Sequence, residues 1–177
     1  MSGRAWAEWL VAQGRADEAT VAQAERVLEA AALRPGDTVL EVGAGLGLLT
    51  LAAHERIGDG WVIAVDSSVE ALEELLRLAH EAGANGIMYL VGDAEVLPLP
   101  DASVDVAVAR SVLACLPETG AAVRELARVV RPGGRLSLRE EPLELGPLAV
   151  QLEAAGFAVT EQSVDGREVF LSARRRP

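Results

Sequence analysis

Short apolar runs alternate with longer amphipathic stretches along most of this chain. Runs rich in aliphatic and β-branched residues, typical of buried strands, lie at 38–42, 61–65, 87–91, 104–109 and around Leu136 and Leu138. Stretches with helical spacing of apolar positions lie between them, at 48–55, 69–81 and 119–130. A regular strand-helix alternation predicts a parallel α/β sheet.

The two ends of the chain depart from this alternation. Helical patterns at 4–13 and 18–32 precede the first strand, with Asp17 placed to cap the second helix. Trp6 and Trp9 lie three positions apart on the first helix, a spacing that places them on one face. At the other end a helix at 147–155 stops at Gly156, and two strands at 157–163 and 168–173 flank a turn at Asp165-Gly166.

Three alternating glycines follow the first strand directly. Gly43, Gly45 and Gly47 allow a sharp turn and let a ligand approach backbone N–H groups, while the next helix points its positive end at the same place. This arrangement predicts a site for a nucleotide-like ligand. A dinucleotide fingerprint would need its third glycine at position 48, which is Leu48.

Further candidate chemistry stands where later strands end. Asp66 closes the second strand about twenty residues beyond the glycines, a spacing suited to accepting ribose hydroxyls. The third strand leads into Gly92-Asp93-Ala94, and Arg110 follows the fourth strand. Because ligands of open α/β sheets bind at the carboxyl ends of the strands, these residues are candidates for one site.

The pattern E-x-G-x-G-x-G at 41–47, Asp66, the segment 92–105 with LPLPDASVD, and the turn Arg131-Pro132-Gly133-Gly134 occur in this order. Together they resemble the class I (Rossmann-like) S-adenosylmethionine-dependent methyltransferases, and within them the ubiquinone and menaquinone biosynthesis enzymes. The resemblance implies a three-layer α/β sandwich with a mostly parallel seven-stranded sheet, a C-terminal antiparallel hairpin and preceding N-terminal helices.

The resemblance also implies S-adenosyl-L-methionine as cofactor. The residues expected to bind it are Glu41, Gly43, Ala44, Gly45, Gly47, Asp66, Ser67, Asp93, Ala94 and Arg110. Asp93 would meet the adenine amino group and the Ala94 N–H a ring nitrogen, a pair that reads adenine by one acceptor and one donor.

Several residues carry two interpretations. Arg110 either pairs with a carboxylate of cofactor or substrate, or bridges to Glu140 or Glu141; Glu41 either lies near the cofactor's amino group or caps the glycine-loop amides. His54 and His80 are interpreted as surface or helix-terminal residues, and Cys115 as a small buried apolar residue. No catalytic residue is assigned, and a single cysteine excludes a multi-cysteine metal site.

The site for the substrate is less clearly marked. The segment 110–117 lacks the histidine or asparagine that relatives often carry there, and 140–146 is short where relatives often insert a covering segment. Arsenite methyltransferases need several thiols, so that branch is set aside. Substrate selection is expected in the N-terminal helices, the Arg110 segment or a partner subunit. The two tryptophans either fasten the first helix to the core or form part of such a cover.

Length and charge limit the domain organisation and the classes of function that the sequence allows. The 177 residues suit one domain, 1–177, with helices at 1–34 that cover the site and a catalytic core at 35–177. A formal charge of −11 argues against nucleic-acid binding, which depends on clustered basic residues. No apolar run approaches the ~20 residues of a membrane span, and no secretory signal is seen at the N-terminus, which predicts a cytoplasmic protein.

Three functional hypotheses follow. The first is in-line methyl transfer to a small molecule from S-adenosylmethionine, with a homodimer in which one subunit covers the other's pocket. The second is a methyltransferase-like module that binds the cofactor without catalysis and regulates a partner. The third, a nicotinamide-dependent oxidoreductase, is disfavoured by Leu48 and by the closing hairpin.

Overall fold

The computed structural model describes residues 5–141 and 144–177, with side chains from residue 9 onward. The side chain of Trp6, and part of the short segment after the fifth strand, lie outside the described residues. The helices are α1 (Ala5–Ala12), α2 (Glu18–Ala31), α3 (Leu48–Ile57), α4 (Val69–Ala82), α5 (Thr119–Val129) and α6 (Leu145–Ala154), with a 3-10 turn at Leu113–Cys115. The strands are β1 (Thr38–Val42), β2 (Trp61–Asp66), β3 (Ile87–Val91), β4 (Val104–Arg110), β5 (Val130–Glu140), β6 (Phe157–Asp165) and β7 (Glu168–Arg175).

The seven strands form one sheet in the order β3-β2-β1-β4-β5-β7-β6. β1 to β5 are parallel to one another, whereas β7 is antiparallel to both β5 and β6. The strand order reverses beside β1, which pairs with β2 on one side and β4 on the other. The predicted parallel sheet with a closing hairpin is confirmed, and the reversal places a ligand crevice at the carboxyl ends of β1 and β4.

Two apolar clusters, one on each face of the sheet, make the fold a three-layer sandwich. On one face, helices α2, α3 and α4 bury residues such as Leu28, Leu49 and Leu75. On the other face, α5 and α6 bury residues such as Leu126 and Leu152. Within the described residues, no helix is both long and apolar enough to cross a membrane.

The helix ends follow the capping residues in the sequence. Asp17 accepts a hydrogen bond from the Thr20 N–H at 2.7 Å, which begins α2 as predicted. Ser68 caps α4 in the same way, through a bond from the Ala71 N–H at 3.1 Å. Gly83 ends the same helix in the left-handed region.

The boundary between α5 and β5 differs from the prediction. The helix was expected to include Val130 and to stop at the turn Arg131-Pro132-Gly133-Gly134, but the helix ends at Val129 and the strand begins at Val130. Val130 pairs with Val104 of β4, and the register shifts before the pairing resumes at Arg135. The turn is therefore a bulge at the start of β5. A Cβ at Gly134 would lie 2.9 Å from the Asp105 carbonyl oxygen, so close strand approach requires glycine there.

Candidate cofactor-binding site

The loop between β1 and α3 is held against β2 by its own backbone. The N–H groups of Gly43 and Ala44 both donate to the Val65 carbonyl, at 2.8 and 3.0 Å. Gly43 and Gly47 have positive φ angles, and a Cβ on either would collide with Val112 or Leu75, respectively. Packing therefore requires glycine at these two positions.

Gly45 has a different role from its neighbours. Its φ is also positive, at +50°, but a Cβ there would meet no atom within 4 Å. The open space beside Gly45 belongs to a cavity at the carboxyl edge of the sheet. Its N–H donates to Asp66 Oδ2 at 2.8 Å, so the loop is fastened to the end of β2 without blocking that space.

Asp66 is bound by backbone on both carboxylate oxygens. Oδ2 accepts from Gly45, and Oδ1 accepts from the Ser68 N–H at 2.9 Å. Each oxygen keeps a further lone pair for a ligand hydroxyl. Asp66, and not Glu41, thus caps a glycine-loop amide, and the amide-capping interpretation of Glu41 is wrong.

Glu41 is a buried acid near the carboxyl end of β1. Its carboxylate accepts a hydrogen bond from the Thr50 hydroxyl on α3. Burial raises the pKa of Glu41 to about 8, and the Thr50 bond and the nearby Arg110 offset only part of that effect. The carboxyl group of Glu41 is therefore mostly protonated at neutral pH, and a cation bound beside it would favour its ionisation.

Arg110 at the end of β4 makes no ion pair within the described residues. The predicted bridges to Glu140 and Glu141 are absent there because Arg139, the next strand's counterpart, pairs with Glu141 and Glu168 at 2.9 and 2.7 Å. Burial, and then the charge of Arg139, lower the pKa of the half-buried Arg110. The interpretation of Arg110 as bridged to Glu140 or Glu141 is therefore wrong, since both acids have other partners.

Glu140 instead binds the turn after β4. It is fully buried, and it accepts from the Val112 and Ala114 N–H groups at 3.2 Å each. Burial raises its pKa. Cys115, expected to be buried, is exposed because the short 3-10 turn directs Leu113 inward and Cys115 outward. That expectation is wrong.

A cavity of about 160 Å³ brings several of these residues together. Five predicted site residues line it: Glu41, Gly43, Ala44, Gly45 and Arg110. The N-terminal part of the chain also contributes lining residues, namely Leu10, Arg15, Ala16 and Thr20. Motif spacing in the sequence does not predict that these N-terminal residues line the cavity.

The other predicted residues lie outside this cavity. Ser67 is exposed just beyond β2, and Gly47 is buried at the start of α3. Asp93 is exposed after β3, where its Oδ1 accepts from the Glu95 N–H at 2.8 Å, and Ala94 is buried beside it. The acids at the ends of β2 and β3 belong to neighbouring strands, so they share the same edge of the sheet.

Two larger cavities are remote from the glycine loop. One, of about 980 Å³, lies between α2 and the C-terminal hairpin; the other, of about 780 Å³, lies between α6 and the hairpin turn. Neither is lined by a predicted site residue. Within the described part of the chain, no group of three or more His, Cys, Asp or Glu side chains is placed to hold a metal ion.

Thr50 was missed by sequence reasoning, although it is the hydrogen-bond partner of Glu41. It lies in the first turn of α3, nine residues after Glu41, and no motif marks it. A buried acid on a strand that precedes a helix is the signal that predicts such a partner, since buried polar groups are hydrogen-bonded.

The seven-stranded sheet reverses its strand order beside β1 and ends with β5-β7-β6, and its glycine loop is flanked by acids on β1 and β2. These features define the class of Rossmann-like methyltransferases. The family description "Methyltransferase domain" matches residues 40–138, more than half of the chain. The chain belongs to this family.

Individual relatives agree with this assignment. The chain is 33% identical over 111 residues to an arsenite methyltransferase of Halobacterium salinarum, covering 62% of this chain and 28% of that protein. It is 34% identical over 115 residues to a ubiquinone/menaquinone biosynthesis C-methyltransferase of Shewanella frigidimarina, covering 64% and 46%. The chain therefore spans less than half the length of these two curated relatives.

Among solved structures, a SAM-dependent methyltransferase from Aquifex aeolicus superimposes with a TM-score of 0.75 at 26% identity. The superposition covers 85% of this chain and 88% of that one. The domain of this chain thus has nearly the same extent as that structure.

Proposed function

We propose that this chain binds S-adenosylmethionine at the carboxyl edge of its sheet and transfers a methyl group to a small molecule. The observation that carries the proposal is the convergence of Glu41, the open face of Gly45 and Arg110, which has no ion-pair partner among the described residues, on one cavity. An ionisable acid and a guanidinium cation suit the two charged ends of an amino-acid moiety. The resemblance to the ubiquinone/menaquinone and arsenite enzymes supports a small-molecule substrate.

Each predicted residue has a place in this proposal. Glu41 faces the ammonium group of the bound cofactor and Arg110 its carboxylate. Gly43, Ala44, Gly45 and Gly47 form the loop under it. Asp66 accepts the ribose hydroxyls with Ser67 adjacent, and Asp93 and Ala94 recognise adenine by one acceptor and one donor.

The chemistry requires alignment more than acid-base assistance. The cofactor supplies a methyl group on a positively charged sulfur, and displacement in line with the carbon-sulfur bond leaves a neutral thioether. The chain's part is to hold the two reacting groups in line and to exclude water. The N-terminal residues at the cavity, Leu10, Ala16 and Thr20, are placed to do so from the open side.

The substrate is proposed to enter between the N-terminal helices and the Arg110 segment. We place this activity in the cytoplasm, because the exposed thiol of Cys115 suits a reducing compartment.

Calorimetric titration of the protein with S-adenosylmethionine and S-adenosylhomocysteine tests the proposal. Micromolar binding of both is expected, and Gly45→Arg should abolish it because the new side chain extends into open cavity space. Gly133→Arg is the matched control, since Gly133 also has a positive φ and open space around its Cβ but lies at the opposite edge of the sheet. Failure of the wild-type protein to bind either compound would overturn the proposal.

A further inference from the structure

Two charged residues on α5 form a pair that faces the irregular segment between β3 and β4. Arg128 donates to Glu125 through two nitrogens, Nε to Oε1 at 2.8 Å and Nη2 to Oε2 at 2.7 Å. This is a bidentate arrangement, which only the planar guanidinium fork allows. We call Glu125 and Arg128 the α5 pair.

The α5 pair binds the backbone of this segment at three points. Arg128 Nη1 donates to the Leu99 carbonyl at 2.6 Å, and Nη2 donates to the Leu97 carbonyl at 3.0 Å. Glu125 Oε2 accepts from the Leu97 N–H at 2.8 Å. The residues from 97 to 99 belong to no strand, so these side chains supply hydrogen bonds that a neighbouring strand would otherwise provide.

The interaction also includes charge. Asp101 accepts from Arg128 Nη1 at 2.9 Å, so the guanidinium contacts two carboxylates and two carbonyls. The bonds from Arg128 hold the pKa of Glu125 below its usual range. Only 18% of the Glu125 side chain is exposed, which shields the pair from solvent more than an ordinary surface ion pair.

The same segment begins with the residues assigned to adenine. Asp93 Oδ1 accepts from the Glu95 N–H, and Glu95 Oε1 accepts from the Glu118 N–H at the start of α5, both at 2.8 Å. Pro98 packs so closely on Gly92 that a Cβ there would lie 2.8 Å from Pro98 Cδ. The turn that carries Asp93 is therefore fastened at one end by α5 directly and at the other end through the α5 pair.

We infer that Glu125 and Arg128 are positioning residues for adenine recognition: they fix the backbone of 97–99 and through it the placement of Asp93 and Ala94. The inference rests on the proposed function. The hydrogen bonds of the pair go to the backbone of 97–99 and to Asp101, so we expect their effect on binding to pass through the segment.

The test compares two nucleoside ligands, S-adenosylhomocysteine and S-inosylhomocysteine, by calorimetry. An inosine base presents an acceptor where adenine has its amino donor, and a donor at the adjacent ring nitrogen. It therefore mismatches an Asp93 acceptor and an Ala94 N–H donor. The preference for adenine is measured as the dissociation constant of S-inosylhomocysteine divided by that of S-adenosylhomocysteine. This ratio is high when the turn holds Asp93 and Ala94 in place.

Arg128→Lys keeps the charge and removes the fork. It should weaken S-adenosylhomocysteine binding about tenfold and bring the ratio toward one, because a lysine cannot hold Glu125 and two carbonyls together. Arg77→Lys is the matched control. Arg77 makes the same bidentate contact with Glu74 one helical turn away, at 2.8 Å for both bonds, on the exposed surface of α4. It should leave the ratio unchanged.

Glu125→Gln is the second variant, and it retains an acceptor for the Leu97 N–H. A smaller fall in the ratio is expected, with the thermal midpoint confirming that the protein is folded. If the variants are folded and keep the wild-type affinity and the wild-type preference for adenine, the inference is overturned while the proposed function stands. Absence of binding by the wild-type protein would overturn the proposed function and the inference with it.

Discussion

Glu41 shows how one residue's environment changes the chemistry that its type suggests. An acid at this place in the motif predicts a negative charge near the cofactor's amino group. In the structure the carboxylate is fully enclosed between β1 and α3, with the Thr50 hydroxyl as its hydrogen-bond donor and Arg110 and Asp66 as the nearest charges that affect its pKa. Glu41 therefore carries a proton at neutral pH, which the ammonium group of the proposed cofactor would displace.

This proton makes the stability of the protein depend on pH. The pKa of Glu41 rises from 4.5 to about 8, so between these values the folded protein binds a proton that the unfolded chain has lost. The stabilisation is fully present below pH 4.5 and is lost as pH rises through 8. Across this window the free energy of unfolding should fall by at most about 1.4 kcal/mol per pH unit on account of this residue.

Urea unfolding of the wild-type protein and Glu41→Gln at pH 5.5, 7 and 8.5 measures the effect. The variant should lack the contribution of Glu41 to the pH dependence of the free energy of unfolding. Its stability relative to the wild type should therefore rise with pH. Glu140, whose pKa burial also raises, titrates in both proteins and cancels in the comparison. Parallel pH dependences of the two proteins would contradict the assignment of the proton to Glu41.

At the scale of elements, the first helix joins the core and the cavity. Trp9 packs against the core on the α2 face, which favours the fastening interpretation of that residue. Leu10, 2% exposed, belongs to the same core and also lines the cavity. α1 therefore belongs to the fold, and we propose that it also covers the site.

Leu10→Ala tests the covering role of α1. Removing a buried leucine side chain should lower the free energy of unfolding by about 2–4 kcal/mol, and the enlarged cavity should weaken S-adenosylhomocysteine binding several-fold. Calorimetry and urea unfolding measure the two effects. Val11→Ala is the control, because Val11 is the next residue of the same helix and lies 36% exposed. Reduced stability with unchanged affinity would show that α1 stabilises the fold without covering the site.

At the scale of the whole molecule, an exposed apolar side chain beside the cavity is the observation that bears on the expected homodimer. Leu46 lines the cavity and is 39% exposed, an apolar side chain that a second subunit would cover. We expect a homodimer in light scattering at micromolar concentration, with Leu46→Glu shifting it toward monomer. A wild-type monomer at that concentration would contradict the expectation.

The order of elements was predictable because its signals are local. Strand runs, helical spacing, the cap at Asp17 and the turn at Asp165-Gly166 depend on residues close together in the chain, and they were found where expected. The boundary at Val130 was wrong because pairing with Val104, a contact distant in sequence, decides where β5 begins.

The sequence by itself determined the sheet, its closing hairpin and the glycine loop, since period, turn chemistry and glycine spacing are written in consecutive residues. Only the tertiary structure decided which side chains are free to act. Arg139 pairs with Glu141, and Glu140 accepts from the Val112 and Ala114 N–H groups, so neither acid pairs with Arg110. Asp66 caps the loop in place of Glu41, and α5 holds the segment that follows Asp93. These outcomes depend on competition between groups far apart in the chain, and that competition is settled by distance and burial in the folded protein.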